Sequence, residues 1–238
     1  MAKNHLASFA APRTWRIKRK EHRWVARPRP GPHKLKEAIT LNYILKDLLH
    51  QVKTTKEVKF VLNNGLVLVD KKVRKDSNFP VGFMDSLEIT KTGEQYRILH
   101  DNKGRLTLVP IKEKDTSLKL LKIIGKTKLK KGKLQFNLND GKNLLLDTSE
   151  GNVGDSLLYD LKEKKVIQII PFKKGTQVYL TAGKHIGELA IIKEFLRTKD
   201  LHKAKVALQS GKNTFLTFVS YVLPVGDHTS LLQLEAHK

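Results

Sequence analysis

Lys56 and Lys59 lie one helical turn apart, and together they suggest one kind of chemistry: two ammonium groups held out to meet an anion. Lys53 precedes them, and Arg74 and Lys75 follow the short hairpin pattern that comes next. Arg13, Arg16, Arg19, Arg27, Arg29 and Lys34 precede that region, and Lys184 and His185 stand between Gly183 and Gly187. Guanidinium forks and lysine point charges suit phosphate oxygens. Catalysis needs convergent groups that this sequence does not supply. There is no Gly-x-x-x-x-Gly-Lys-Ser/Thr loop, no Gly-x-Ser-x-Gly elbow and no His-Glu-x-x-His pair. The nine histidines are scattered without metal-ligand spacing, and zero cysteines exclude a thiolate zinc site and a thiol nucleophile. Asp76 and Asp85 read as turn residues. The expectation is a binding protein, with no enzyme activity, cofactor, metal or small-molecule substrate.

The elements that position these cations are legible. Thr54 as N-cap and Glu57 three residues later form a capping box, and Val58, Val61 and Leu62 share one helix face while the lysines occupy another. Asn63-Asn64-Gly65 tolerates positive φ and ends that helix. Leu66 to Val69 reads as a strand and Asp70-Lys71 as a turn toward Val73. Upstream, Leu41, Ile44, Leu45, Leu48, Leu49 and Val52 recur at helical spacing behind Thr40, which predicts an amphipathic helix over 40–52 packed on the next one. His50 falls on its polar side.

Charge sets the class of partner. Forty-six Lys and Arg against 23 Asp and Glu give a net +23, which repels itself unless a polyanion neutralises it. The charge patterning favours nucleic acid, read here as RNA, over a membrane surface. Separately, no run approaches the ~20 apolar residues of a spanning helix and no signal-peptide pattern begins the sequence. Absence of cysteine fits a cytoplasmic protein. The charge concentrates in residues 1–36, where eleven basic residues face one acid, Glu21. Pro12, Pro28, Pro30, Gly31 and Pro32 deny that stretch a long helix or sheet. It reads either as a solvated tail or as an arm ordered along RNA. Trp15 and Trp24 favour the arm, because large rings stack on bases or wedge against a neighbour.

Residues 95–170 read as all-β, with a hairpin about Asp101-Asn102-Lys103-Gly104 and strand candidates at 118–124, 134–138, 144–146 and 166–170. The lysines at 112, 114, 119, 122, 126, 128, 130, 131 and 133 form a second basic cluster, either a solvated loop or a further RNA contact. Val178 and Leu180 lead into Gly183, Gly187 follows, and Leu189, Ile191 and Ile192 close a glycine-centred loop between strands. Residues 205–208, 214–219 and 221–225 supply further strands.

Several stretches resemble known modules. Asn63-Asn64-Gly65-Leu66-Val67-Leu68-Val69-Asp70 with Met84-Asp85-Ser86-Leu87-Glu88-Ile89 resembles the S4-like RNA-binding module of ribosomal proteins, RNA-modifying enzymes and tRNA synthetases. The 174–195 stretch is similar to the KOW motif of SH3-like barrels. Arg27-Pro28-Arg29-Pro30-Gly31-Pro32-His33-Lys34-Leu35, Phe79-Pro80-Val81-Gly82-Phe83-Met84-Asp85 and Lys91-Thr92-Gly93-Glu94 resemble the archaeal and eukaryotic small-subunit ribosomal protein S4e family. That resemblance implies an α+β multidomain fold: a basic extension (1–39), a small helix-hairpin S4-like module (40–94), a central β-rich barrel-like domain (95–171), and an SH3-like KOW barrel with a tail (172–238). It implies a structural constituent of the small ribosomal subunit that binds rRNA beside other ribosomal proteins, in the cytoplasm. The alternative is a non-ribosomal RNA-binding regulator of transcription or translation that uses the KOW domain.

Overall fold

The computed structural model describes residues 5–129, 133–146, 151–196, 204–211 and 213–228. They form two compact units. One comprises the residues up to Leu99 with Arg105–Ser117, the other His100–Gly104 with the residues from Leu118 onward.

In the first unit the described residues of the basic segment carry no long helix or strand, but short 3-10 turns at Ser8–Ala10 and Leu35–Glu37 and an isolated Ala7–Trp24 bridge, in keeping with its prolines. It is nonetheless folded. Leu6, Ala11 and Trp15 are buried in the same apolar core as Ile39, Leu41, Ile44, Leu45, Val58 and Leu62. After it come β1 (Ala38–Thr40), α1 (Leu41–Tyr43), α2 (Thr55–Asn63), β2 (Val67–Val69), β3 (Lys72–Val73), β4 (Pro80–Gly82), β5 (Ser86–Ile89), β6 (Glu94–His100), β7 (Leu106–Pro110) and the short α3 (Glu113–Thr116). β1 pairs antiparallel with β4, and the larger sheet has the order β3-β2-β5-β6-β7. The 95–110 hairpin expected to open the central β domain therefore extends this first sheet.

The helix expected over 40–52 is shorter. Thr40 caps it as anticipated, its hydroxyl accepting from the Tyr43 N–H at 3.3 Å. From Ile44 to Leu48 the backbone widens into a π-turn: the Leu49 N–H bonds to the Ile44 carbonyl, five residues back. His50 then takes φ +52°, and the chain leaves the helix. Ile44 and Leu45 are still buried, and Leu48, Leu49 and Val52 pack partly buried against the core.

Among the described residues, the regular secondary structure of the second unit is strand, apart from a 3-10 turn at Val219–Tyr221. β8 (Leu118–Lys128), β9 (Leu134–Leu138), β10 (Asn143–Leu146), β11 (Ser156–Asp160) and β12 (Lys165–Ile170) form a sheet of order β10-β9-β8-β11-β12. β13 (Gln177–Leu180), β14 (Leu189–Leu196), β15 (Lys205–Ser210), β16 (Asn213–Phe218) and β17 (Val222–Pro224) form another, ordered β16-β15-β14-β13-β17. Each sheet has its own core, one around Leu121, Ile123, Phe136 and Leu157, the other around Val178, Leu180, Ile192, Val206 and Val222. No helix among the described residues is long and apolar enough to cross a membrane.

Candidate nucleic-acid interface

On α2 the sequence pattern becomes a presented surface. The Thr54 hydroxyl accepts from the Glu57 N–H at 3.3 Å, and the Glu57 carboxylate accepts from the N–H groups of Lys53 (2.9 Å) and Thr54 (3.4 Å). Those bonds, led by the one from Lys53, hold the Glu57 carboxyl below the usual range. At the other end the Gly65 N–H bonds to Leu62 and the Leu66 N–H to Val61, with Gly65 at φ +71°, closing a Schellman motif that asks for glycine. Val58 and Leu62 are fully buried, so Lys56, Lys59, Asn63 and Phe60 turn outward. Phe60, which follows Lys59 and lies one turn beyond Lys56, is 68 % exposed. Lys53 is exposed beside them.

The two proline-containing motifs, far apart in sequence, meet in space. The Arg29 N–H donates to the Asn78 carbonyl at 3.0 Å, and the Arg29 guanidinium lies 3.2 Å from the Asp76 carboxylate. His33 Nε2 sits 2.9 Å from Asp85 Oδ2, both side chains nearly buried, and the same oxygen accepts from the Gly82 N–H at 2.9 Å. The His33 ring covers Gly82 so closely that a Cβ there would fall 2.3 Å from His33 Cγ. This docking places Arg29 next to the loop that carries Arg74 and Lys75. Arg74 stacks its guanidinium over the Phe79 ring at 4.3 Å, and Lys75 is exposed. Asp76 is a turn residue, as expected, since its carboxylate also accepts from the Asn78 N–H.

The remaining predicted arm residues divide by role. Arg13, Arg16 and Lys34 are exposed, and Arg27 is half-buried. Arg19 is used within the segment: its guanidinium donates to the carbonyls of Ser8, Phe9, Ala11 and Pro12, and its own carbonyl accepts from the Ser8 hydroxyl. Ser8–Pro12 forms no more than a 3-10 turn of its own, and one guanidinium reaches four of its carbonyls. The tryptophans divide too. Trp15 is a core wedge, donating from Nε1 to the Ala38 carbonyl at 2.7 Å and stacked on Tyr43. Trp24 remains 55 % exposed.

In the second unit Lys184 is exposed, whereas His185 stacks on Phe215 with ring centroids 3.9 Å apart and pairs with Glu188 at 3.2 Å. The close backbone approach anticipated for the glycines is made to the chain's own turn, since a Cβ on Gly187 would meet the His100 carbonyl at 3.2 Å. The central lysine cluster is corrected at two positions. Lys119 is 1 % exposed and lies 3.5 Å from the buried Asp140 carboxylate. Lys122 donates to the Val219 carbonyl at 2.7 Å and to that of Val222, and burial lowers its pKa to about 8. The first half of β8 is covered on both faces, Leu120 and Leu121 being equally buried, so alternation over 118–123 does not put Lys119 and Lys122 out in solvent. Lys112, Lys114, Lys128 and Lys133 are exposed, while Lys130 and Lys131 lie outside the described residues.

A protein described as small ribosomal subunit protein eS4, from Methanosphaera stadtmanae, is 41 % identical over 233 residues, covering 98 % of this chain and 96 % of that protein. The chain belongs to the S4e family of ribosomal proteins. The S4e family profile matches residues 92–166, and the RS4NT domain profile matches residues 2–36. The eS4 protein of Methanothermobacter thermautotrophicus is 39 % identical over 238 residues, the whole of this chain and 98 % of that protein. In three dimensions the chain is similar to the crystal structure of the 30S ribosomal protein S4e from Thermoplasma acidophilum. The TM-score is 0.69 at 32 % identity, over 80 % of this chain and 95 % of that one. The two S4e profile matches cover the docked basic segment and the strands from β6 into β12. Sequence reasoning left several exposed groups of this S4e chain out of the candidate set: Lys18, Lys20, Arg23, Lys36 and Phe60. The aromatic among lysines on α2 was readable from its spacing, because Phe60 is four residues after Lys56.

Proposed function

We propose that this chain is a structural component of the small ribosomal subunit, in the cytoplasm, and that it binds small-subunit rRNA beside neighbouring ribosomal proteins with no catalysis of its own. Membership of the S4e family supports the subunit; the outward face of α2 supports the RNA. Its capping box and Schellman motif fix a short helix whose buried side is apolar and whose free side is Lys56, Lys59 and Phe60. We read residues 40–94 as the S4-like module and the β13–β17 sheet with its Gly183–Gly187 loop as the SH3-like KOW domain. In this reading Lys53, Lys56, Lys59, Arg74 and Lys75 neutralise phosphates along one stretch of RNA. Arg13, Arg16, Arg27, Arg29 and Lys34 extend that contact from the docked segment, and Lys184 adds one from the loop. Arg19 and His185 hold their own segments in shape, and any contact they make with RNA is secondary to that.

The test is the salt dependence of rRNA binding. Each phosphate contact contributes roughly 0.7–0.9 to the slope of log K against log salt. The double variant Lys56→Glu/Lys59→Glu, on an exposed helix face, is expected to keep its fold by circular dichroism and to flatten the slope by roughly 1.5. An unchanged slope with an intact fold removes α2 from the interface.

A further inference from the structure

We infer that Trp24 is a stacking platform for one unpaired nucleobase of the bound RNA, with Arg23 and His5 flanking the ring. This rests on the RNA-binding reading above and adds a site to it. The two tryptophans are treated oppositely: Trp15 fills the core and has its N–H bonded, whereas Trp24 holds a large ring in solvent. A ring left out merely because the backbone there is loose would be expected on a strand without partners. Here the backbone is fixed on both sides. Trp24 bridges to Ala7 antiparallel, the Ser8 N–H bonds to the Arg23 carbonyl at 3.0 Å, and the Val25 N–H bonds to the Leu6 carbonyl at 3.0 Å. Leu6 in turn is anchored in the core. The indole is thus presented from a rigid support, which lowers the entropy lost when something stacks on it.

Its surroundings select the ligand. The Arg23 guanidinium lies 5.2 Å from the ring centroid, and the His5 ring lies 5.5 Å away at a 48° tilt. Lys18, Lys20 and Arg23 are all exposed in the same short stretch, with Glu21 as its one acid, paired to Lys18 at 3.7 Å. An apolar protein surface would have to desolvate these charges, whereas a nucleotide brings a π-face for the indole and a phosphate for the arginine. A base inside a duplex has no free face, so the ligand is a nucleotide in a loop, bulge or single strand.

The test uses the full-length protein, a short single-stranded oligoadenylate and an RNA duplex of matched length. Because Trp15 is buried, quenching of tryptophan emission reports Trp24. The expected result is that oligoadenylate quenches the emission and that Trp24→Ala binds it roughly 5- to 150-fold more weakly, with the salt slope unchanged. Trp24→Phe, which keeps a π-face, retains most of the affinity. Equal affinity of Trp24→Ala and wild type, or no quenching at saturation, overturns the platform. If the duplex still binds in that case, the RNA-binding reading survives; if wild type binds neither RNA, that reading falls and takes the platform with it. Unchanged RNA affinity of Trp24→Ala, together with poor incorporation into reconstituted small subunits, also overturns the proposal and assigns the ring to a protein neighbour.

Discussion

Replacing Gly82 by alanine is the sharpest test of how the basic segment is attached to the first unit. The added methyl would sit 2.3 Å from His33 Cγ and 2.6 Å from both Cδ2 and Nδ1, where ordinary carbon contacts need about 3.5 Å or more. The ring must therefore move by about an ångström. It cannot do so and keep its 2.9 Å contact with Asp85, and both side chains are nearly buried. Overpacking of this kind costs about 1–3 kcal/mol, and weakening a buried hydrogen bond adds about 1–2 kcal/mol. The smaller unfolded-state entropy of alanine returns up to about 1 kcal/mol. The expected net loss is about 1–5 kcal/mol, read as a lower urea midpoint for the full-length protein. The companion variant is Gly82→Ala in a His33→Ala background, where the ring is gone and the methyl has room. There the alanine should cost under about 0.5 kcal/mol. A Gly82→Ala cost below about 0.5 kcal/mol in the wild-type background, or the same cost in both, would refute the docking argument.

Two further outcomes concern the second unit. Burial pushes His100 down from 6.5 to about 4, so the folded unit holds a neutral imidazole while the unfolded chain takes up its proton as pH falls below about 6.5. The contribution of His100 is thus fully present above that pH and is lost between about 6.5 and 4, by up to about 3 kcal/mol. Urea unfolding at both pH limits should show a smaller pH dependence in His100→Gln, and equal dependence in the two proteins would contradict the assignment. Lys122→Met removes the ammonium that the Val219 and Val222 carbonyls share and leaves those acceptors without it, at an expected cost of about 1–3 kcal/mol in the same assay. A change below about 0.5 kcal/mol would mean that the carbonyls find other donors.

Local signals carried the elements well where one short-range rule decides them. The Thr54/Glu57 capping box, the Gly65 stop and the Asp70-Lys71 turn, whose φ values are +51° and +60°, stand where the sequence put them. The strands at 134–138 and 166–170 do too, within a residue. What sequence could not show was long-range. Nothing local reveals that His33 will lie on Gly82, or that Glu94–His100 will pair with Ser86–Ile89 and so extend the first sheet. Charge was the least legible property in detail. Lys119, Lys122 and Arg19 look like their neighbours in composition, yet each is occupied inside the fold, because only the tertiary structure says which carbonyls and carboxylates lack a partner.

The docked basic segment also has a consequence for how the chain is made. The groups that receive it come late: Asn78, Gly82 and Asp85 hold residues 29–33, and the Leu106 N–H closes on the Thr14 carbonyl. At a synthesis rate of about 5–20 residues per second, the segment waits on the order of several seconds to tens of seconds before its seat exists. During that time its arginines, prolines and two indoles are solvated and open to any polyanion nearby. On the RNA-binding reading proposed above, the first encounter of the nascent chain with RNA is made by an unfolded segment, and its own β4 and β7 have to compete for it afterwards.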